Sequence, residues 1–240
     1  MKTFRNDFYK FLNKIKNNES FSLSRWGDGE TMILFNEFID IRNKGNGEFI
    51  YDPNNLEHFK YRNNLIDAAK YKSANYFLGL ACRCCINKER HLQLKTFVNQ
   101  DENMLSWANI MVNSNFPLFI SEMLPQYNNY NIYLVVNSKG NINNLPFKDK
   151  IKKTYYIGTN AWIENYNIIE DLKNDAINTN NSLFLFMAGP FANILVFELN
   201  KINPNNTYID QGSCLDLYLF GQSDRGYLNG SSTLNKVCIW

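Results

Sequence analysis

The chain has 240 residues, 45% of them apolar and 20% charged, enough to build a sizeable buried core. Its 25 Lys and Arg nearly offset 23 Asp and Glu, a net charge of +2, which gives no reason to expect a protein that lives on nucleic acid or an anionic membrane, since both usually need a concentrated basic face. Two histidines, His58 and His91, are too few for a multi-histidine metal cage, so acid–base chemistry falls to carboxylates.

The chain opens with an amphipathic helix within 1–18, whose apolar face carries Phe4, Phe8, Phe11, Leu12 and Ile15. Ser20 to Arg25 alternates as a strand does, Gly27-Asp28-Gly29 forms a turn, and Glu30 starts an apolar stretch, Met32 to Phe35 with Phe38 and Ile39, that suits a buried helix. A Gly/Asn-rich loop covers 43–47. Asp52 and Pro53 then mark a helix start, with a helix expected to about Lys72. Tyr76 to Cys82 is a second strand. Cys82-Arg83-Cys84-Cys85 is too tight for a zinc ribbon and reads as small core residues of a reducing compartment. Helical spacing resumes at Met104, Leu105, Ala108, Met111 and Val112, and Pro117 to Tyr127 forms a further helix.

Asn131 to Val136 is the clearest strand, and Thr154 to Gly158 is another. It feeds a helix with Trp162, Tyr166, Ile169, Leu172 and Ala176 on one face. Leu183 to Met187 is a continuous apolar run that ends at Ala188-Gly189-Pro190, with a helix through Phe191 to Leu199. Thr207 to Asp210 is the last strand, and 222–240 is an irregular tail in which Trp240 packs. Strands alternating with helices, several of them apolar on both faces, predict an α/β, Rossmann-like layered domain with a largely parallel central sheet flanked by helices. One domain over 1–240 is expected, since no linker or repeat divides the chain. The 39 asparagines fall mostly between elements, as a genomic codon bias would place them. No apolar run is long enough to span a bilayer, and no signal-peptide core follows the first residues, so a cytoplasmic location is expected.

In such sheets ligands bind beyond the carboxyl ends of the strands. The first such turn holds a planar cation, Arg25, and two acids separated by one residue, Asp28 and Glu30. That combination suits Mg²⁺ or Mn²⁺ clamping a diphosphate, since these ions take one or two carboxylates and complete their shell with phosphate and water. Gly27 and Gly29 would let the backbone approach a ligand, and the Gly189-Pro190 turn offers a further strand end.

Arg25-Trp26-Gly27-Asp28-Gly29-Glu30 resembles the R-x-G-D-G-E signature of GT-D type glycosyltransferases, which have a Rossmann-like fold and a D-x-E motif associated with metal and nucleotide-sugar donor. Three later blocks are similar to that family's in the same order: Thr159-Asn160-Ala161-Trp162, Ala188-Gly189-Pro190-Phe191-Ala192-Asn193 and Tyr208-Ile209-Asp210-Gln211-Gly212-Ser213. Where many members carry a His after D-x-G, this chain has Ser213.

The resemblance implies a metal-dependent transfer of a sugar from a nucleoside diphosphate sugar, a UDP-sugar, to a glycan or glycoconjugate hydroxyl. Asp28 and Glu30 would hold a divalent cation. Arg25, Trp26, Gly27, Gly29, Gly189, Pro190, Asn193, Gly212 and Ser213 would surround the donor, with Asp210 and Asp216 as candidate bases. A different Rossmann-like transferase, such as a methyltransferase, or a catalytically silent binding domain are the alternatives.

Overall fold

The computed structural model describes residues 3–43, 49–228 and 235–240; most of the loop expected at 43–47 and part of the tail lie outside them. The opening stripe forms α1 (Phe4–Lys16), capped by the Thr3 hydroxyl, with its five predicted apolar residues buried. There follow β1 (Ser22–Trp26), α2 (Asp28–Leu34), a short antiparallel pair β2 (Ile39–Asp40) and β3 (Ile50–Tyr51), α3 (Leu56–Lys70), β4 (Tyr76–Leu80), α4 (Arg83–Ile86), α5 (Lys88–Val98) and β5 (Leu105–Trp107). Next come α6 (Phe116–Leu118), continued by π and 3₁₀ turns to Asn129, then β6 (Ile132–Asn137), β7 (Ile151–Ile157), α7 (Ala161–Glu164), α8 (Ile168–Ile177), β8 (Leu183–Phe186), α9 (Pro190–Ile202), β9 (Thr207–Asp210) and α10 (Asp216–Phe220).

Several expectations change. The helix expected to take in Phe38 and Ile39 ends at Leu34, with Ile39 in β2; that expected over Pro117 to Tyr127 is α-helical only at Phe116–Leu118; and that expected from Trp162 to Ala176 is broken into α7 and α8. The helix after Asp52 starts later, because the Asn55 side chain accepts the Glu57 and His58 N–H groups at 2.9 and 3.2 Å and is the true N-cap. The helical spacing at 104–112 is not a helix: Leu105–Trp107 pairs with β4 as the sheet's edge strand.

Seven strands form one sheet in the order β5-β4-β1-β9-β8-β6-β7, and every pairing in it is parallel. The expected α/β architecture is therefore the observed one. From β1 the chain steps outward to β4 and β5, crosses to β6 and β7 at the far edge, and returns through β8 to β9 beside β1. The order reverses between β1 and β9, the switch point at which open parallel sheets leave a crevice beyond their carboxyl ends.

Side-chain alternation splits the core in two. Leu23, Phe77, Leu134, Leu185 and Ile209 pack toward α1 and α10. Trp26, Leu78, Val135, Phe184 and Tyr208 pack on the other face, against side chains of α3, α8 and α9. No helix among the described residues is long and apolar enough to cross a membrane.

Candidate active site

A cleft of about 550 Å³ opens at the carboxyl edge of the sheet, within the size range of small-ligand sites. Because the strands are parallel, the segments leaving β1, β5, β6, β7, β8 and β9 all reach it. It is lined by Arg25, Gly27, Asp28, Gly29 and Glu30 from the first turn, and by Gly189, Asp210, Gly212, Ser213 and Asp216 from the later blocks. Ten of the predicted residues thus share one cavity although 191 positions separate Arg25 from Asp216.

The floor is built around Arg25. Its Nε donates to the Ala108 carbonyl oxygen and its Nη1 to that of Asp210 at 3.5 Å, so two main-chain oxygens fix the guanidinium plane. Gly212, with φ at +52°, lies directly against this guanidinium, where a Cβ would collide with Nη1. Asp210 links the two central strands: one carboxylate oxygen accepts the Arg25 N–H at 3.3 Å and the other the Gly212 N–H at 3.0 Å. Burial lifts the pKa of Asp210 to about 6, against the opposing pull of Arg25 and the two amides. Desolvation works against the charged form of Arg25, but nearby acids, Asp210 among them, leave its pKa raised, so it stays a cation.

Asp28 is exposed at the mouth, and Glu30 is partly exposed two residues further on. Glu30 also braces the backbone, because its Oε2 accepts the Gly27 N–H at 3.0 Å and ties the start of α2 to its first turn. Asp216 also lines the cleft, and its carboxylate accepts the Ser223 hydroxyl at 3.4 Å. Ser213, at the position where the resembled family often has His, shares a 2.7 Å hydrogen bond with the Tyr227 hydroxyl.

Three predicted donor contacts lie elsewhere. Trp26 has no exposed surface and packs in the core of the α9 side, because strand alternation turns it to the face opposite Arg25. Asn193 is buried within α9, where its amide donates to the Ser24 hydroxyl and the Arg25 carbonyl, both at 2.9 Å, and docks that helix on β1. Pro190 is buried at the first position of α9, behind Gly189. The first amides of α9 are also spoken for, since Phe191 N–H donates to Ala188 and Ala192 N–H to Gly189 at 3.2 and 3.0 Å.

Other lining residues carry no signature in the sequence. Phe49 leads into β3 and covers both motif glycines, for a Cβ on Gly29 or Gly189 would meet its ring at 2.8 or 3.3 Å. Those two glycines therefore make room for an aromatic side chain. Asn137 follows from the end of β6, and Asp224, Arg225 and Tyr227 come from the segment read as an irregular tail. Trp240 does pack, with its ring centroid 5.0 Å from that of Trp107 and 5.1 Å from that of His91.

No protein-family model matches the chain, and no curated protein does. Solved structures do. The chain is similar to a structure of the domain of unknown function 1792, with 18% identity, 88% of this chain and 79% of that one covered, and a TM-score of 0.58. A second structure of that domain, described as having a distinct glycosyltransferase fold, has 18% identity, the same coverage of 88% and 79%, and a TM-score of 0.54. A third, described as a new glycosyltransferase (DUF1792) from Streptococcus sanguinis, has 16% identity, coverage of 88% and 82%, and a TM-score of 0.55. The glycosyltransferase fold implied by the sequence resemblance is the fold this chain adopts.

Proposed function

We propose that the chain is a glycosyltransferase that moves a sugar from a nucleoside diphosphate sugar, a UDP-sugar, to a hydroxyl of a glycan or glycoconjugate, with Mn²⁺ or Mg²⁺ as cofactor. The observation that carries the reading is the pairing of a fixed guanidinium, Arg25, with the outward carboxylate of Asp28 in one cleft at the β1/β9 switch point. The glycosyltransferase fold of the similar structures supports it. The reading takes 1–240 as one catalytic domain in the cytoplasm, a compartment that suits five unpaired cysteines.

The residues at the mouth fit a hard cation. Two carboxylates from one turn, one exposed and one partly so, match an ion that takes few protein oxygens and leaves its other positions to phosphate and water. Asp28 would hold it with Glu30, whose carboxylate is already oriented by the Gly27 amide. Bound there, the ion would supply Lewis-acid neutralisation of the leaving diphosphate.

The chain's own residues do the rest. Arg25 presents a charge that needs no reorganisation when negative charge builds up on the leaving group, because main-chain carbonyls already hold it. Asp210 positions Arg25 and Gly212 through their amides, and with a pKa near 6 it is ionised at neutral pH and matched to accepting the proton of an acceptor hydroxyl. Asp216 is the second acid within the same cavity. Phe49, Ile39 and Ile41 wall the mouth with apolar surface that limits water around the donor.

The test is hydrolysis and transfer across a panel of nucleotide sugars, with and without Mn²⁺, for the wild type and Asp28→Asn. Metal-dependent turnover of a uridine diphosphate sugar, lowered about 100-fold or more in the variant, is the expected result. Failure of every nucleotide sugar to bind, together with unchanged metal affinity in Asp28→Ala/Glu30→Ala, would overturn the reading.

A further inference from the structure

Four thiols converge at a place the transferase reading does not use. Cys82 follows β4, Cys84 and Cys85 sit on α4, and Cys238 arrives from the C-terminal segment, which is pinned there by a 3.1 Å hydrogen bond from Arg83 N–H to the Ile239 carbonyl. The Sγ atoms of Cys82, Cys84 and Cys238 lie within 4.8 Å of one another, and Cys82 Sγ is 2.8 Å from that of Cys84 and 3.4 Å from that of Cys85. The sequence reading of Cys82, Cys84 and Cys85 as core residues holds for Cys82, which is buried like Cys238, and fails for Cys84 and Cys85, which are exposed. Exposed thiols turned toward buried ones are not explained by packing.

We propose that Cys82, Cys84, Cys85 and Cys238 form a site for one thiophilic divalent cation of the zinc class, which clamps the C-terminal segment to the end of β4. A tetrahedral thiolate site with bonds of about 2.3 Å spaces its sulfurs about 3.8 Å apart; Cys82, Cys84 and Cys238 already lie within 4.8 Å of one another, and Cys85, 3.4 Å from Cys82, is the fourth ligand. A disulfide would engage two of the sulfurs and leave the convergence of the others without a purpose. Three donors face the sulfurs: the Asn109 amide donates to Cys85 Sγ at 3.2 Å, the Asn113 amide to Cys238 Sγ at 3.6 Å, and Lys236 Nζ lies 3.9 Å from Cys85 Sγ. Soft sulfur separates this site from the oxygen ligands at Asp28 and Glu30, so the two would select different ions. Asn109 also lines the cleft, which makes the clamp a support for one of its walls.

The experiment uses the full chain, stripped with chelator under reducing conditions and titrated with Co²⁺ as the spectroscopic probe. One Co²⁺ per chain is expected, with thiolate-to-cobalt charge-transfer absorption, tetrahedral d–d bands in the visible, and full displacement by Zn²⁺. Cys238→Ser and Cys84→Ser should each weaken binding tenfold or more, while Asp28→Asn leaves the signal intact. Cys84 is exposed, so its replacement keeps the test open even if the Cys238 variant folds poorly. Absence of the charge-transfer band, wild-type Co²⁺ affinity in folded Cys84→Ser, or a disulfide joining two of the four thiols in protein kept reduced would overturn the proposal.

Discussion

Replacing Asp210 by Asn should flatten part of the pH dependence of stability. Asp210 is 6% exposed and its pKa rises from an ordinary 3.8 to about 6, so the folded site favours the neutral acid more than the unfolded chain does. The sign follows from proton linkage: its stabilising contribution is complete below the unfolded pKa and is lost as pH rises through about 6. At about 1.4 kcal/mol per pKa unit, the loss amounts to about 3 kcal/mol between pH 3 and 7.5, about 2 kcal/mol of it above pH 4.5.

Asn does not titrate, but its NH₂ group must face one of the amides that Asp210 now accepts from, Arg25 N–H or Gly212 N–H, which costs about 1–3 kcal/mol at every pH. Urea unfolding of both proteins at pH 4.5 and 7.5 isolates the titration, because all other ionisable groups are common to the pair. Wild type should lose about 2 kcal/mol relative to the variant over that range. Parallel curves would refute the argument that burial governs this carboxyl. The same pair separates two roles in turnover. If Asp210 accepts the hydroxyl proton, kcat/KM of wild type falls below about pH 6 and the variant loses that limb. If it only positions Arg25, the rate drops and the limb stays.

Gly212→Ala should lose about 1–3 kcal/mol of stability, from strain at φ +52°, and weaken binding of a nucleoside diphosphate in calorimetry, because the new Cβ displaces the Arg25 guanidinium. Trp26→Phe should lower the melting temperature while leaving KM for the donor within twofold, since the indole is wholly buried; a tenfold rise in KM would mean that it touches the donor. Asn160→Ala should cost about 2–4 kcal/mol in urea unfolding, because Asn160 Oδ1 accepts both the Ile50 N–H at 3.2 Å and the Trp162 Nε1–H at 2.8 Å and the residue sits at φ +61°. Asn160→Gly relieves only the backbone strain and should recover about 1 kcal/mol of that loss.

What the sequence made legible depended on how local each cause was. The strands β1, β6, β8 and β9 lie where apolar alternation or apolar runs place them, since each is buried by its own pattern. The edge strand β5 was hidden because its three residues take their identity from pairing with β4, while their spacing with the residues after them mimics a helix. Arg25, Asp28 and Glu30 were readable as a turn at a strand end. Trp26 was misplaced although alternation alone separates it from Arg25, a signal that needed only the strand to be extended by one residue. Phe49, Arg225 and Tyr227 had no local cause to read, for chain tracing alone brings them over the cleft. The excess of asparagine gains a physical meaning beyond codon bias. Among the described residues, every non-glycine position with positive φ is Asn: Asn18, Asn36, Asn87, Asn99, Asn113, Asn160 and Asn181. Asn tolerates the left-handed region better than other side chains and can bond its own turn, so a chain with only 12 glycines makes many of its reversals with Asn, beside Gly189, Gly212 and Gly221. Others act inside: the Asn203 and Asn206 amides both donate to the carbonyls of Ala176 and Thr179, at 2.8 and 3.0 Å, tying the end of α8 to the loop that enters β9. Genomic drift can supply the residue type, but it does not place all seven non-glycine positive-φ positions of the described residues on it.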